Sequence, residues 1–178
     1  MVDKIYNKAF KSDSSRLAFS LRSSIAKRAS HLNAALCEFM KIEKVEQLPS
    51  DIETLITESQ LEGFRFLARL QNDFASGVNK FNKNGETLVT VRVDGKLVAI
   101  GGINRQDDSA RLRRFYVSKC SRRLGVGREL FEFLEKHASQ YFTKVTLFTD
   151  TLQASQFYEA CGYLPVNRHH VSHEKAFT

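Results

Sequence analysis

The segment that most restricts the fold of this chain lies near its middle. Leu88-Val89-Thr90-Val91-Arg92-Val93 and Lys96-Leu97-Val98-Ala99-Ile100 are two β-prone runs separated only by Asp94-Gly95. An Asp-Gly pair accepts the positive φ angles of a two-residue turn, so the runs fold back on each other as a hairpin. A sheet must therefore be present, and the remaining chain must cover it. Met40 to Leu48 alternates loosely and stops at Pro49, which predicts a first strand. Ser50-Asp51-Ile52-Glu53 has the form of a capping box and predicts the start of a short helix. Leu61, Phe64, Leu67, Gln71, Phe74, Val78 and Phe81 recur at three to four residues and predict a helix over 61–81, closed by Asn82-Lys83-Asn84-Gly85. After the hairpin the pattern predicts a polar loop at 105–110, a strand at 111–117, a glycine-containing loop at 118–127, a helix at 128–141 and a strand at 145–148. Thr149-Asp150-Thr151 then caps a helix that ends at Cys161 with Gly162 beyond it, and 163–166 and 170–177 read as last strands. Hairpins followed by β-α-β crossovers give an α/β chain of the α+β type, a mixed sheet flanked by helices.

The charge is unevenly placed. Residues 1–36 hold seven Lys and Arg against Asp3 and Asp13, whereas the remaining residues hold 20 bases against 18 acids. A uniformly basic body is thereby excluded, which weighs against a nucleic-acid partner. Leu17, Leu21, Ile25, Leu32, Leu36 and Phe39 fall near helical spacing, so 13–36 is expected to be an amphipathic helix within a basic N-terminal arm, 1–39. Such an arm packs on the protein or a second subunit, which makes it a candidate for homodimer contacts, or it meets an anionic surface; the first is favoured. No apolar run approaches the roughly 20 residues of a membrane span. The start lacks a secretory apolar stretch. The acid-free, Ser-rich segment after Ser14 resembles a transit peptide, against which Asp3 and Asp13 argue. Three scattered cysteines, Cys37, Cys120 and Cys161, fit a reducing cytoplasm and show no metal spacing.

Chemistry concentrates after the strand at 111–117. Arg122-Arg123-Leu124-Gly125-Val126-Gly127 joins that strand to a helix. Glycines turn backbone N–H groups toward one point, and a helix N-terminus adds partial positive charge, so the segment suits a phosphate, with Arg122, Arg123 and Arg128 adding direct charge. The spacing is neither a dinucleotide fingerprint nor a Walker loop. In the strand itself Leu112, Phe115 and Val117 slip by one from strict alternation, as a β-bulge would cause. A bulge splays the strand from its neighbour and leaves backbone groups for an extended, amide-bearing ligand.

Arg113-Arg114-Phe115-Tyr116-Val117, Arg122-x-x-Gly125-x-Gly127 and Ala154-x-x-Phe157-Tyr158-x-x-x-Gly162-Tyr163, in this order and spacing, resemble the GNAT N-acetyltransferases over about residues 40–178. The resemblance implies that family's centrally splayed sheet, here with an extra N-terminal helix, and acetyl-CoA as cosubstrate. It implies that the backbone of Phe115, Tyr116 and Val117 meets the pantetheine arm. It implies that Arg122, Arg123, Leu124, Gly125, Val126, Gly127 and Arg128 cradle the phosphates, and that Thr151 and Ala154 complete the cofactor site. Tyr158 matches the family's tyrosine near the thioester sulfur, a catalytic group that assists the departing thiolate.

Two features depart from the family. Thr151 stands where many members carry Asn, and the bulged strand lacks the Glu that many members use as base, its own charged residues being Arg111, Arg113 and Arg114. Asp107 and Asp108 are the nearest acids in sequence. The acceptor site is expected around the two early helices and the last strands, with Phe64, Arg65 and Phe66 as candidates and His173 as a polar lining group. His169, His170 and His173 invite a metal, but three imidazoles on an irregular tail without a cysteine pair make a poor zinc site, so no metal is expected. The expected activity is acetyl transfer to the primary amine of a small molecule; the alternatives are a protein amino group, an aminoacyl-tRNA, or coenzyme A binding without catalysis.

Overall fold

The computed structural model describes residues 40–177. The helix expected at 13–36, within the arm 1–39, lies outside the described residues. Strands β1 (Met40–Lys44), β2 (Thr87–Val93), β3 (Lys96–Gln106), β4 (Ser109–Val117), β5 (Lys144–Leu147), β6 (Leu164–Arg168) and β7 (Val171–Ala176) form one sheet in the order β1-β2-β3-β4-β5-β7-β6. All neighbours run antiparallel except β4 and β5, which are parallel. Helices α1 (Ile52–Leu61) and α2 (Phe66–Ser76) pack with Leu88, Leu97, Ile100 and Tyr116. Helices α3 (Val126–Ala138) and α4 (Leu152–Ala160) belong to a second core with Val89, Val91, Leu112, Leu147 and Tyr163. Alternate residues of the strands thus feed two cores on opposite faces, as a covered mixed sheet requires.

The Asp94-Gly95 hairpin forms as expected, with Asp94 and Gly95 both at positive φ. Elsewhere the boundaries move. The expected polar loop at 105–110 is instead a tight turn at Asp107-Asp108, because β3 and β4 pair out to Gln106 and Ser109. The single helix expected over 61–81 is α2 alone. The chain breaks at 62–65, where Gly63 takes φ +86°, and α2 ends at Gly77 rather than at 82–85. The capping box does not form: Asp51 stands at the cap position with no side-chain cap bond. Its carboxylate instead takes two hydrogen bonds from Arg92, at 2.7 and 2.8 Å, which hold it below the usual carboxylate range. A long-range charged pair thus takes the Asp51 carboxylate that could have capped the helix, and Glu53 accepts instead from Gln71 Nε2 at 3.0 Å.

The expected bulge lies in β4. Arg113 stands opposite Gly102 and Tyr116 opposite Ile100, so Arg114 and Phe115 together face Gly101. Arg114 takes φ +59°, a left-handed conformation that strains a residue with a side chain. On its other edge β4 pairs with β5 only at Ala110 and Arg111. From Leu112 to Val117 that edge diverges from β5 and opens a cleft in the sheet.

Gly101 admits the bulge through its lack of a side chain. A Cβ there would lie 2.9 Å from Phe115 Cδ2 and 3.0 Å from Leu134 Cδ1. Gly101→Ala is expected to cost about 1–3 kcal/mol by overpacking, read as a lower urea midpoint. An unchanged midpoint would mean that Phe115 yields freely.

Candidate active site

The cleft between β4 and β5 is floored by aromatic rings. Phe115 stacks on Phe157 at 6.0 Å and meets Tyr158 edge-on at 6.3 Å, while Phe131 contacts Phe157, Tyr158 and Tyr163. These rings come from β4, α3, α4 and the segment after α4, so the site depends on packing between elements distant in sequence. Phe157 was not singled out from the sequence as a site residue. Its signal is the pairing with Tyr158, since neighbouring helical residues here both face the sheet.

On β4, Ser118 N–H donates to the carbonyl of Val98 in β3 at 2.8 Å. Strand alternation therefore turns the N–H of Val117, and of Phe115 before it, to the cleft edge. The carbonyl of Val117 on that edge accepts a bond from Arg122 Nε at 2.9 Å. Tyr116 differs: its side chain is buried on the α1–α2 face, 6.2 Å from Phe66, and its phenol is pushed up to about 12 by burial and by Glu58 and Glu62 nearby.

The loop after β4 enters α3 through two residues at positive φ. Gly125 takes φ +90° and Arg123 φ +63°, and α3 starts at Val126. Among the described residues no acceptor meets the N–H groups of Arg123, Leu124, Gly125, Val126 or Gly127; the backbone bonds resume at Arg128, which donates to the Gly125 carbonyl at 2.9 Å. Successive free N–H groups at a helix N-terminus form a concave positive site. Arg123 and Arg128 are exposed beside it. Arg122 is not free to join them through its side chain, which Glu62 Oε2 holds at 2.7 Å and which lies over the Tyr116 ring. Glu58, also from α1, accepts from Ser118 Oγ at 2.8 Å and Lys119 N at 2.5 Å. Two acids some 60 residues earlier, Glu58 on α1 and Glu62 just past its end, therefore brace the loop, a partnership that no local sequence signal announces.

Across the cleft, Thr151 stands at the cap position of α4 without a side-chain cap bond; its N–H and Oγ1 meet Thr149 Oγ1 at 3.3 and 3.4 Å. Ala154 packs against the α3–α4 core. Tyr158 is buried, and burial pushes its phenol well above the ordinary range. A phenol so placed stays protonated and acts as a donor. His173, expected to line an acceptor pocket, is instead buried against α4: its Nε2 meets Ser155 Oγ at 3.0 Å and its ring lies 6.2 Å from that of Tyr158. Phe64 and Phe66 pack on the α1–α2 core, and Arg65 is exposed. Asp107 and Asp108 form the turn at the far end of β4, about 20 Å along the strand from Phe115. Among the described residues no cluster of His, Cys, Asp and Glu could hold a metal ion, and no helix is long and apolar enough to cross a membrane.

The model of the Acetyltransferase (GNAT) domain matches residues 55–177. An acetyltransferase structure from an Exiguobacterium species is 24% identical and superposes with a TM-score of 0.70, over 77% of this chain and 93% of that one. An acetyltransferase from Streptococcus agalactiae is 21% identical, with a TM-score of 0.66 over 78% of this chain and 99% of that one. A GNAT-family acetyltransferase from Staphylococcus aureus is 17% identical, with a TM-score of 0.61 over 76% of this chain and 99% of that one. At these identities the structures establish a shared fold. No curated protein sequence matches the chain.

The buried phenols make stability depend on pH. Tyr116 is raised to about 12, and Tyr158 and Tyr163 are raised further by burial. The unfolded chain releases these protons near pH 10, so the folded state binds more protons above it. Their stabilisation is complete below about pH 10 and is lost as the pH rises toward the folded values. Urea midpoints are expected to fall between pH 9.5 and 11.5 on this basis, roughly as linkage requires, and to fall less in Tyr158→Phe. Equal slopes for both proteins would refute the assignment.

Proposed function

Because the chain belongs to the GNAT acetyltransferase family, whose members use acetyl-CoA, we propose that it transfers the acetyl group to the primary amine of a small molecule by direct attack. The observation that carries the reading is the run of unaccepted N–H groups from Arg123 to Gly127 at the mouth of a cleft whose β4 edge has no strand partner. Acetyl-CoA supplies an acyl thioester, already activated toward an amine. The N–H groups of residues 123–127 suit its pyrophosphate, with Arg123 and Arg128 contributing charge and Arg122 acting by bracing the loop. The N–H groups of Phe115 and Val117 suit the amide-bearing arm, and Thr151 and Ala154 border the opposite wall. A backbone N–H of β4 near the bulge would polarise the thioester carbonyl.

Tyr158 holds a proton on a phenol raised by burial. Full transfer of that proton to a thiolate of pKa ~8.5 is uphill, so the hydroxyl stabilises the sulfur by donating a hydrogen bond. On the acceptor side, β4 carries no carboxylate, and Asp73 and Glu174 are paired with Arg114 and Arg168. The amine therefore enters already deprotonated by water.

Calorimetry is expected to show coenzyme A binding, and a panel of amines is expected to release thiol from acetyl-CoA. Tyr158→Phe should lower kcat roughly 10- to 100-fold, at or below the lower end of the range for proton-transfer groups because the hydroxyl only donates a hydrogen bond, with coenzyme A affinity kept. Across acceptors of different basicity, kcat/KM should rise with pH along each acceptor's own amine pKa; one shared inflection for all acceptors would reveal an enzyme base. Binding without turnover across the panel would leave a coenzyme A-binding module, and absence of binding would refute the proposal.

A further inference from the structure

The acetyltransferase reading leaves the chemistry of the acceptor open and gives no part to a group of arginines beside the cleft. Leu112 turns into the α3–α4 core, so alternation turns Arg111 and Arg113 to the opposite face of β4. Arg114, at the bulge, reaches Asp73 of α2 at 2.6 Å, and its side chain is only 8% exposed. Arg69 of α2 and Arg113 both stand close enough to Arg114 to oppose its charge. Arg111 donates to Gln106 Oε1 at 3.0 Å and to the carbonyl of His170 in the β6–β7 turn, so it spans the cleft from one side to the other. Among the described residues, Arg114 is the one member of this group with a carboxylate within 4.0 Å.

The guanidinium groups of Arg69, Arg113 and Arg114 gather near one carboxylate, Asp73, and repel one another, and partial burial of Arg114 strengthens the repulsion. Two further facts set Arg114 apart. Its backbone is held at φ +59°, and its Nε is sealed from water with no partner. Buried donors without acceptors are uncommon, and strain of this kind persists where the surroundings impose it. An anion placed against Arg69 and Arg113 would balance the excess charge. The guanidinium fork matches carboxylate and phosphate geometry. Arg113 precedes Phe115 by two residues, about 7 Å along a strand. An anion at Arg113 and an amine at the acetyl group would therefore be separated by the length of a small molecule.

We infer that the acetyl acceptor is a small amine bearing a carboxylate or a phosphate, and that Arg69 and Arg113 hold this anionic group in front of the β4–β5 cleft. The inference rests on the acetyltransferase reading. The full chain would be assayed by thiol release on matched acceptors: amino acids against their carboxamides, and phosphoethanolamine against ethanolamine. Comparing the two anionic series separates a carboxylate from a phosphate as the favoured group. The anionic member is expected to exceed its neutral partner at least tenfold in kcat/KM, chiefly through KM. In Arg69→Ala and Arg113→Ala that ratio should collapse at least tenfold, with partial recovery in Arg113→Lys and coenzyme A affinity unchanged. A readout without turnover completes the test. With the protein saturated in coenzyme A, so that loop 123–127 is filled, inorganic phosphate at millimolar concentration should raise the melting temperature of the parent and not of the double alanine variant. Coenzyme A binding with turnover blind to acceptor charge, turnover confined to an acidic peptide, or no phosphate response would overturn this inference alone. Failure to bind coenzyme A would overturn the acetyltransferase reading as well.

Discussion

The structure turns on one ion pair and the strand irregularity that it anchors. Arg114 is held in a left-handed conformation inside β4, a state that its side chain disfavours. Asp73 of α2 grips its guanidinium at 2.6 Å. The conformation admits an extra residue opposite Gly101, and the strand then changes which side chains face which core. Phe115 is thereby delivered to the aromatic floor with Phe157 and Tyr158, and Tyr116 to the α1–α2 core. Without the extra residue, every side chain after Arg114 would change faces, and the cleft would lose its floor.

The same helical layer that holds the bulge also shapes the loop after it. Glu58 on α1 and Glu62 at its C-terminal end take Ser118 Oγ, Lys119 N and Arg122. Their effect is to fix the near half of the loop by charge-assisted bonds and to leave the far half, from Arg123 to Gly127, with its N–H groups unspent. Carboxylates brace the base of the loop, and positive backbone dipoles and arginines line its mouth. This separation of charge lets a basic loop stay in one conformation without neutralising the anion site.

Much of this was legible in the residues. The Asp94-Gly95 hairpin, the bulge inferred from the slip of Leu112, Phe115 and Val117, and the glycine loop all rest on local rules, and all appear in the structure. The misreadings share a cause. Ser50-Asp51-Ile52-Glu53 failed as a capping box because the helix starts one residue later, with Asp51 at its cap, and Glu53 accepts from Gln71, 18 residues away. The helix over 61–81 failed because apolar spacing ran through Gly63 and concealed a break. His173 reads equally well as a pocket group or a core group until α4 is laid over it. The partner of Arg122, Glu62, is likewise announced by no local spacing.

Sequence by itself determined the elements, their order and the two local devices, a bulge and a glycine loop, that mark a splayed sheet with an anion site. These depend on φ preferences and on spacing, which act between near neighbours in the chain. Tertiary structure alone decided which arginines are engaged and which are free. Arg114 is held by Asp73 of α2 and Arg122 by Glu62 at the end of α1, while Arg69 and Arg113, close to Arg114, have no carboxylate within 4.0 Å among the described residues. Pairing of charges is a matter of distance in space, and residues 41 to 60 positions apart acquire that distance only when the helices dock on the sheet.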